Sequence, residues 1–185
     1  TNKRAKLPTM IFSDLKGNPL GSQVKKGVDA FKSGNHDVVI AFGGGSRLDV
    51  GKSIVLQAAL NRPLWDFTDG GAFWNENDYV ASMAKNRINN PDNIKPFIAI
   101  PTTAGTGSEV THHSVIIDTK SNNFEKISCR GEGFVPIVSI VDYELTLSKP
   151  RRLTIDSAID TLTHGVEAYV TKKATMFSDR TALDT

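Results

Sequence analysis

The sequence predicts an α/β protein with a parallel β-sheet, followed by the beginning of an all-helical domain. Within residues 1–149, short apolar runs alternate with segments in which apolar residues recur at helical spacing. Such alternation is typical of a parallel sheet with covering helices. After Pro150 the strand pattern stops and one long helical pattern takes over. We therefore predict two domains, 1–149 and 150–185, with the boundary where the pattern changes.

Four short apolar runs are predicted to be buried strands. The first, HDVVIAF, stops at three consecutive glycines, and buried strands of parallel sheets have this continuous apolar character. KPFIAIP, SVIID and PIVSIVD have the same character. We expect all four to join one parallel sheet, over residues 36–42, 95–101, 114–118 and 136–142.

Three segments have the periodicity of helices. Residues 22–35 place apolar side chains on one face and end at a Gly-Asn stop signal. The pattern recurs in residues 47–61, and residues 154–170 form a long amphipathic helix. The polar, asparagine-rich segment 68–95 is weakly periodic. We predict that it is a long surface excursion with at most one short helix.

Composition excludes several classes of function. The chain has 185 residues, 39% hydrophobic and 23% charged, with a formal net charge of +2, so no strong field would attract nucleic acid or anionic lipid. No apolar run approaches the roughly 18 residues that a membrane span needs. The single cysteine, Cys129, excludes an internal disulfide and a multi-cysteine metal cluster. A soluble cytoplasmic protein is expected. Because the chain starts on threonine and stops after a helical pattern, we also expect it to be truncated at both ends.

The stretch AFGGGSRLDVGKS, residues 41–53, resembles a phosphate-binding loop without matching either standard template. Its Gly-Lys-Ser lacks the glycine that a Walker loop needs five positions earlier, and Leu48 stands where a dinucleotide fingerprint needs its third glycine. A strand, three glycines and a helix nevertheless offer free backbone N–H groups to an anion. The alternative is a glycine-rich turn that only lets the strand and the helix pack together.

A second loop, PTTAGTGSEVTHHS at residues 101–114, follows the second predicted strand and concentrates hydroxyls and small residues. Side chains of this kind can hydrogen-bond a pyrophosphate or a ribose without crowding it. Alone it could be an ordinary polar loop. Because the carboxyl ends of parallel strands meet at one edge of a sheet, two such loops favour a nucleotide crevice.

The third feature is the helix TIDSAIDTLTHGVEAYV. Asp160 and His164 are four residues apart, so both side chains lie on one face and could bind one metal ion. The polar stripe is flanked by apolar and by small residues, as in a partly buried helix. The alternative is the solvated face of an amphipathic helix, and two ligands never complete a metal site.

In combination, GGGSRLDVGKS, PTTAGTGSEVT and IDTLTHGVEAYVT closely resemble the iron-containing (group III) alcohol dehydrogenase family. The resemblance implies a Rossmann-like NAD(P)-binding α/β domain followed by an all-α metal-binding domain. It implies an oxidoreductase that interconverts a small-molecule alcohol and its aldehyde or ketone by hydride transfer to NAD or NADP, with Fe²⁺ or Zn²⁺ polarising the alcohol oxygen. It also implies a homo-oligomer, a dimer or larger. The expectation of no nucleic-acid partner and no membrane comes from the charge and composition.

The resemblance assigns residues to each role but identifies no catalytic acid or base. The metal ligands would be Asp160 and His164, with two further histidines beyond residue 185. Two alternatives stay open: a related metalloenzyme of the glycerol dehydrogenase or dehydroquinate synthase kind, and an inactive nucleotide-binding fragment. The cofactor-binding residues that it implies are Asn18, Gly44, Gly45, Ser46, Asp49, Thr102, Thr103, Thr106, Val115, Lys126 and Leu145.

Overall fold

The computed structural model describes residues 7–15, 17–68, 94–119 and 124–185. Nearly all of the predicted surface excursion, from residue 69 to residue 93, therefore lies outside the described residues. In chain order the helices and strands are α1 (Gly21–Ser33), β1 (Val39–Gly43), α2 (Gly45–Leu60), β2 (Phe97–Pro101), β3 (His113–Ile117), β4 (Lys126–Arg130), β5 (Val138–Ser139), α3 (Arg151–Val170) and α4 (Met176–Leu183).

The predicted parallel sheet is present, with the strand order β1-β2-β5. The predicted burial was wrong for part of it, because Ile40 and Phe42 of β1 and both residues of the short β5 are exposed. Strand β1 pairs with β2 from Val39 opposite Phe97 to Gly43 opposite Pro101, and Ile98 pairs with Val138 of β5. The carboxyl ends of β1 and β2 therefore lie side by side. This register brings the two loops that follow these strands together.

The prediction for residues 114–118 was wrong in its pairing. The segment is a strand, β3, but it pairs antiparallel with β4 in a separate two-stranded sheet, from His113 opposite Arg130 to Ile117 opposite Lys126. Strand β4 itself was missed, because KISCR has only two apolar residues and therefore gives a weak strand signal. In β3 the residues that point inward are Ser114 and Ile116, while Val115 is exposed, so this ribbon is buried on one face only.

Helix α2 lies at the centre of the molecule, between two groups of apolar side chains. On one side Leu48 and Val55 pack with Phe97 and with alanines of the parallel sheet. On the other side Ile54 belongs to a larger cluster with α1 and the β3-β4 ribbon. Because α2 is covered on both sides, its middle part, from Val50 to Leu56, is buried all round.

Helix α3 follows Pro150, its N-cap residue, and has twenty residues. The polar stripe of α3 has small residues on one side and apolar residues on the other. Two of the small residues, Ser157 and Gly165, are buried, whereas the apolar side is exposed. That exposed flank consists of Ile155, Ile159, Leu162, Val166 and Val170. No helix in the described part of the chain is long and apolar enough to cross a membrane. The division into domains at residues 149 and 150 stays a prediction.

Candidate functional site: two loops at the sheet edge and a facing helix

The glycine loop, residues 43–46, carries the chain from β1 into α2, with Gly44 as the one residue between them. Strand β1 ends at Gly43, and Gly44 is the N-cap of α2. As a glycine it has no side chain to cap the helix. The amides of Arg47 and Leu48 donate to the Gly44 carbonyl, whereas the first amides of a helix have no acceptor within it. An uncapped helix N-terminus at the carboxyl edge of a sheet favours an anion.

The threonine loop, residues 101–114, lies directly against the glycine loop. The Thr102 amide donates to the Gly43 carbonyl at 2.9 Å. A Cβ atom built on Gly44 would lie 3.2 Å from Thr103 Oγ1, and one built on Gly45 would lie 2.9 Å from Thr106 Oγ1. The structure thus brings the hydroxyls of the second loop to within contact of the glycines of the first. A side chain at Gly45 would force Thr106 to shift, and one at Gly44 would be in tight contact with Thr103.

The Thr103 hydroxyl, which lies against Gly44, is a buried polar group that calls for a ligand. Its side chain is nine-tenths buried, at 9% relative exposure. Its Oγ1 has no hydrogen-bond partner among the residues that the structure describes. Leaving a buried hydroxyl unpaired costs about 1–3 kcal/mol. A hydrogen-bonding ligand lying over Gly44 would remove that cost.

Asp49, in the second turn of α2, is held entirely by the protein. Ser108 Oγ donates to Asp49 Oδ1 at 2.5 Å, and the Val115 amide donates to Oδ2 at 3.0 Å. Burial raises the pKa of the Asp49 carboxyl, although both hydrogen bonds and the nearby Lys52 ammonium act in the opposite direction. Since both oxygens accept bonds from the threonine loop or from β3, Asp49 fastens these two segments to α2.

Lys52 has a structural role that sequence reasoning missed. Its side chain is fully buried, and its Nζ donates to the Thr111 carbonyl at 3.0 Å, to Thr111 Oγ1 at 3.1 Å and to the His113 carbonyl at 2.9 Å. Burial lowers the pKa of this ammonium to about 8. The Walker-like Gly51-Lys52-Ser53 therefore points into the protein and not toward a phosphate. The signal that could have revealed this is the apolar residues Val50 and Ile54 around it in the sequence.

The remaining residues expected to contact the cofactor are spread over several elements outside the two loops. Asn18 is exposed and comes just before α1. Val115 is linked to the first two loops through its bond to Asp49. Lys126 begins β4, and Leu145 lies in a single 3₁₀ turn, Tyr143–Thr146. In the described part of the chain, no hydrogen bond joins Lys126 or Leu145 to either loop.

The expected metal ligands lie together on α3. Asp160 Oδ1 and His164 Nε2 are 3.9 Å apart, and both side chains are about half exposed. No group of three or more potential ligands occurs among the described residues, so the pair is a partial site. A carboxylate oxygen and an imidazole nitrogen are ligands that suit Fe²⁺ and Zn²⁺.

The threonine loop also contacts the helix that carries this pair. A Cβ atom on Gly105 would lie 2.0 Å from Thr161 Oγ1 and 2.6 Å from the Ser157 carbonyl. Lys149 Nζ donates to Ser157 Oγ at 2.9 Å, which ties the chain before α3 to the same turn. One loop therefore touches the glycine loop on one side and the neighbourhood of Asp160 on the other.

Comparison with known proteins gives a consistent result. The family model described as iron-containing alcohol dehydrogenase matches residues 2–143. An NAD-dependent methanol dehydrogenase of Bacillus methanolicus is 40% identical over 181 residues, which are 98% of this chain and 42% of the relative. The crystal structure of a 1,3-propanediol oxidoreductase superposes with a TM-score of 0.79 at 32% identity, over 98% of this chain and 42% of the other.

A second solved structure, a sulfoacetaldehyde reductase from Bifidobacterium kashiwanohense in complex with NAD⁺, superposes with a TM-score of 0.75 at 30% identity. It matches 94% of this chain and 42% of its own. The chain thus spans about two fifths of the length of the relatives that it matches.

Proposed function

The chain belongs to the iron-containing alcohol dehydrogenase family, and we propose that it forms the cofactor-binding part of an NAD-dependent alcohol dehydrogenase. The proposed reaction removes a hydride from the carbinol carbon of a small alcohol and transfers it to the nicotinamide of NAD⁺. The alcohol becomes an aldehyde or ketone, NAD⁺ becomes NADH, and the hydroxyl proton is released.

The observation that carries this proposal is the unpaired Thr103 hydroxyl beside the uncapped start of α2. The two loops together offer backbone N–H groups, the positive end of a helix dipole, and hydroxyl groups with no bulky side chains between them. These are the features that bind a diphosphate. In this proposal the diphosphate of the dinucleotide lies over Gly44 and Gly45 and accepts a hydrogen bond from Thr103.

The roles of Asp49 and Lys52 follow from their hydrogen bonds. Both side chains join α2 to the segment that runs from Ser108 through β3. Because α2 begins in the glycine loop and Ser108 belongs to the threonine loop, the two residues fix the distance between the walls of the proposed crevice. They position the loops and do not themselves bind the dinucleotide.

Asp160 and His164 fit a divalent cation in their chemistry. With ligands from parts of the parent protein that this chain does not span, they would hold Fe²⁺ or Zn²⁺, and such an ion supplies Lewis acidity that lowers the pKa of the alcohol hydroxyl. The contact of Gly105 with Thr161 keeps the threonine loop beside this pair. The substrate would therefore lie between the threonine loop and the Asp160–His164 pair, next to the nicotinamide.

Because the described residues supply two metal ligands, we propose that this chain by itself binds the dinucleotide without oxidising alcohols. The full-length protein would be a soluble, cytoplasmic homo-oligomer that uses NAD and acts on a small-molecule alcohol or aldehyde. Two of the relatives that match are named for methanol and for 1,3-propanediol, and these are the first substrates to try.

The test is a pair of measurements. NADH titration, followed by quenching of tryptophan fluorescence, should give saturable binding both to this chain and to the full-length protein. Alcohol-dependent reduction of NAD⁺ should occur in the full-length protein only, and a chelator should abolish it. Full activity after complete removal of metal would refute the metal-dependent mechanism, and absence of NADH binding would refute the crevice.

A further inference from the structure

We infer that the guanidinium of Arg47 binds a phosphate group of the dinucleotide; this inference rests on the proposed function. Arg47 is the third residue of α2, and its side chain turns back over the end of β1. A Cβ atom on Gly43 would lie 2.9 Å from both Cβ and Cγ of Arg47. The aliphatic stem of Arg47 therefore lies against the last residue of β1, at the carboxyl edge of the sheet.

The charge of Arg47 is poorly compensated within the protein. Its Nη2 donates to the Leu15 carbonyl at 3.2 Å. Among the residues that the structure describes, this is its single hydrogen-bond acceptor, and no carboxylate lies within 4 Å. A guanidinium has five N–H donors, so most of them are available. Asp49, two residues further along α2, is bonded instead to the Ser108 hydroxyl and the Val115 amide.

The position of Arg47 in the helix is itself unfavourable without an anion. The first turn of α2 has no acidic residue and carries this arginine, although the helix dipole favours negative charge there. A cation at this end of a helix is normally destabilising. An anion that lies between the helix N-terminus and the guanidinium is attracted by both and offsets that unfavourable interaction. A phosphate also matches the planar fork of an arginine, which can donate two parallel hydrogen bonds.

A purely structural role makes a different prediction. If Arg47 served only to fasten residues 7–15 to α2 through Leu15, its loss would lower stability and leave phosphate recognition unchanged. The experiment therefore compares ligands with and without phosphate: NADH, NADPH, ADP, 2′-AMP and adenosine. The proteins are the full-length wild type, Arg47→Gln and Arg47→Lys. The matched control is Arg62→Gln, which removes the same charge just after the other end of α2, where Arg62 lies 3.6 Å from Asp66.

We expect Arg47→Gln to weaken NADH binding about tenfold and to leave adenosine binding within about twofold of wild type. A parallel loss for ADP assigns the contact to the diphosphate. A loss confined to 2′-AMP and NADPH assigns it to a ribose phosphate. Arg47→Lys should recover part of the affinity, because it keeps the charge and loses the fork. Rising salt should weaken ADP binding more in the wild type than in Arg47→Gln, and Arg62→Gln should behave as wild type.

The inference is overturned if the wild type binds NADH and Arg47→Gln binds every phosphate-containing ligand equally well, whatever happens to its melting temperature. It is also overturned if Arg62→Gln weakens binding to the same extent. A wild type that binds none of the nucleotides contradicts the proposed function itself, and the two failures are thus distinguishable.

Discussion

Gly105 of the threonine loop lies so close to Thr161 of α3 that a Cβ atom on the glycine would be 2.0 Å from the threonine Oγ1. Gly105 also has a φ of +111°, a conformation that residues with a side chain rarely adopt. Both facts require glycine at this point. The contact matters because Thr161 is the neighbour of Asp160, so it sets how close the proposed cofactor loop comes to the proposed metal pair.

Gly105→Ala should therefore separate the loop from α3. In the full-length protein we expect a loss of stability of about 1–3 kcal/mol and a fall in kcat that exceeds the change in NADH affinity. The matched control is Gly107→Ala, since Gly107 also has a positive φ, +65°, but its nearest neighbour would be 3.7 Å away. Equal effects of the two substitutions on kcat would show that backbone strain, and not the contact with Thr161, is responsible.

Thr103→Val should change stability and binding in opposite directions. Valine keeps the shape of threonine and removes a buried hydroxyl that lacks a partner, so the free energy of unfolding without ligand should rise by about 1 kcal/mol. NADH affinity should fall about tenfold, because the ligand loses a hydrogen bond. Thr103→Ser, which retains the hydroxyl, is the control. A Thr103→Val variant that binds NADH as well as wild type would remove the main support for the crevice.

His164→Ala and Gly45→Val should separate the two halves of the site. In the full-length protein, loss of the imidazole should lower alcohol turnover at least about a hundredfold, since loss of even an outer partner of a metal ligand costs 10–100-fold, while NADH binding stays near wild type. Valine at position 45 would contact Thr106, because its Cβ alone would lie 2.9 Å from that hydroxyl. It should weaken NADH binding more than tenfold and leave metal content unchanged. If both variants lost NADH binding equally, this division of roles would be wrong.

Lys52 gives a prediction for pH. Burial lowers the pKa of its ammonium from 10.5 to about 8. Between these two values the unfolded chain binds more protons than the folded one, so the contribution of Lys52 to the free energy of unfolding rises with pH. From pH 8 to pH 10 and above, wild type should gain up to about 3 kcal/mol relative to Lys52→Met, measured by urea denaturation at each pH. Parallel pH profiles for the two proteins would show that folding does not lower the pKa of Lys52.

The local elements could be predicted from the sequence because their signals are local. The apolar runs at 36–42 and 95–101 became β1 and β2, and the periodic segments became α1, α2 and α3 with ends shifted by three residues or fewer. Asp160 and His164 share a helix face for the same reason, since a spacing of four residues decides it. The family resemblance rests on motifs of this kind and was confirmed by the comparisons.

What the sequence could not give was which segments meet. Residues 113–117 formed a strand as expected. Their partner strand, KISCR at residues 126–130, has only a weak strand signal in the sequence, so the pairing could not be predicted. The inward direction of Lys52 was also hidden, because its three acceptors lie 59 to 61 residues away in the chain. A local motif predicts its own backbone conformation. The hydrogen-bond partners of a buried charge depend on how distant segments pack, so they cannot be read from a local motif.

The same distinction applies to the candidate site. By itself the sequence determined a glycine loop after one strand, a threonine loop after another, and an Asp–His pair on one helix, because each depends on residues that are near neighbours in the chain. The tertiary structure alone decided that Thr103 would lie unpaired over Gly44, that Arg47 would face no carboxylate, and that Gly105 would touch Thr161. Those relationships arise from the parallel pairing of β1 with β2 and from the packing of the threonine loop against α2 and against α3. These contacts bring together residues that no local pattern connects.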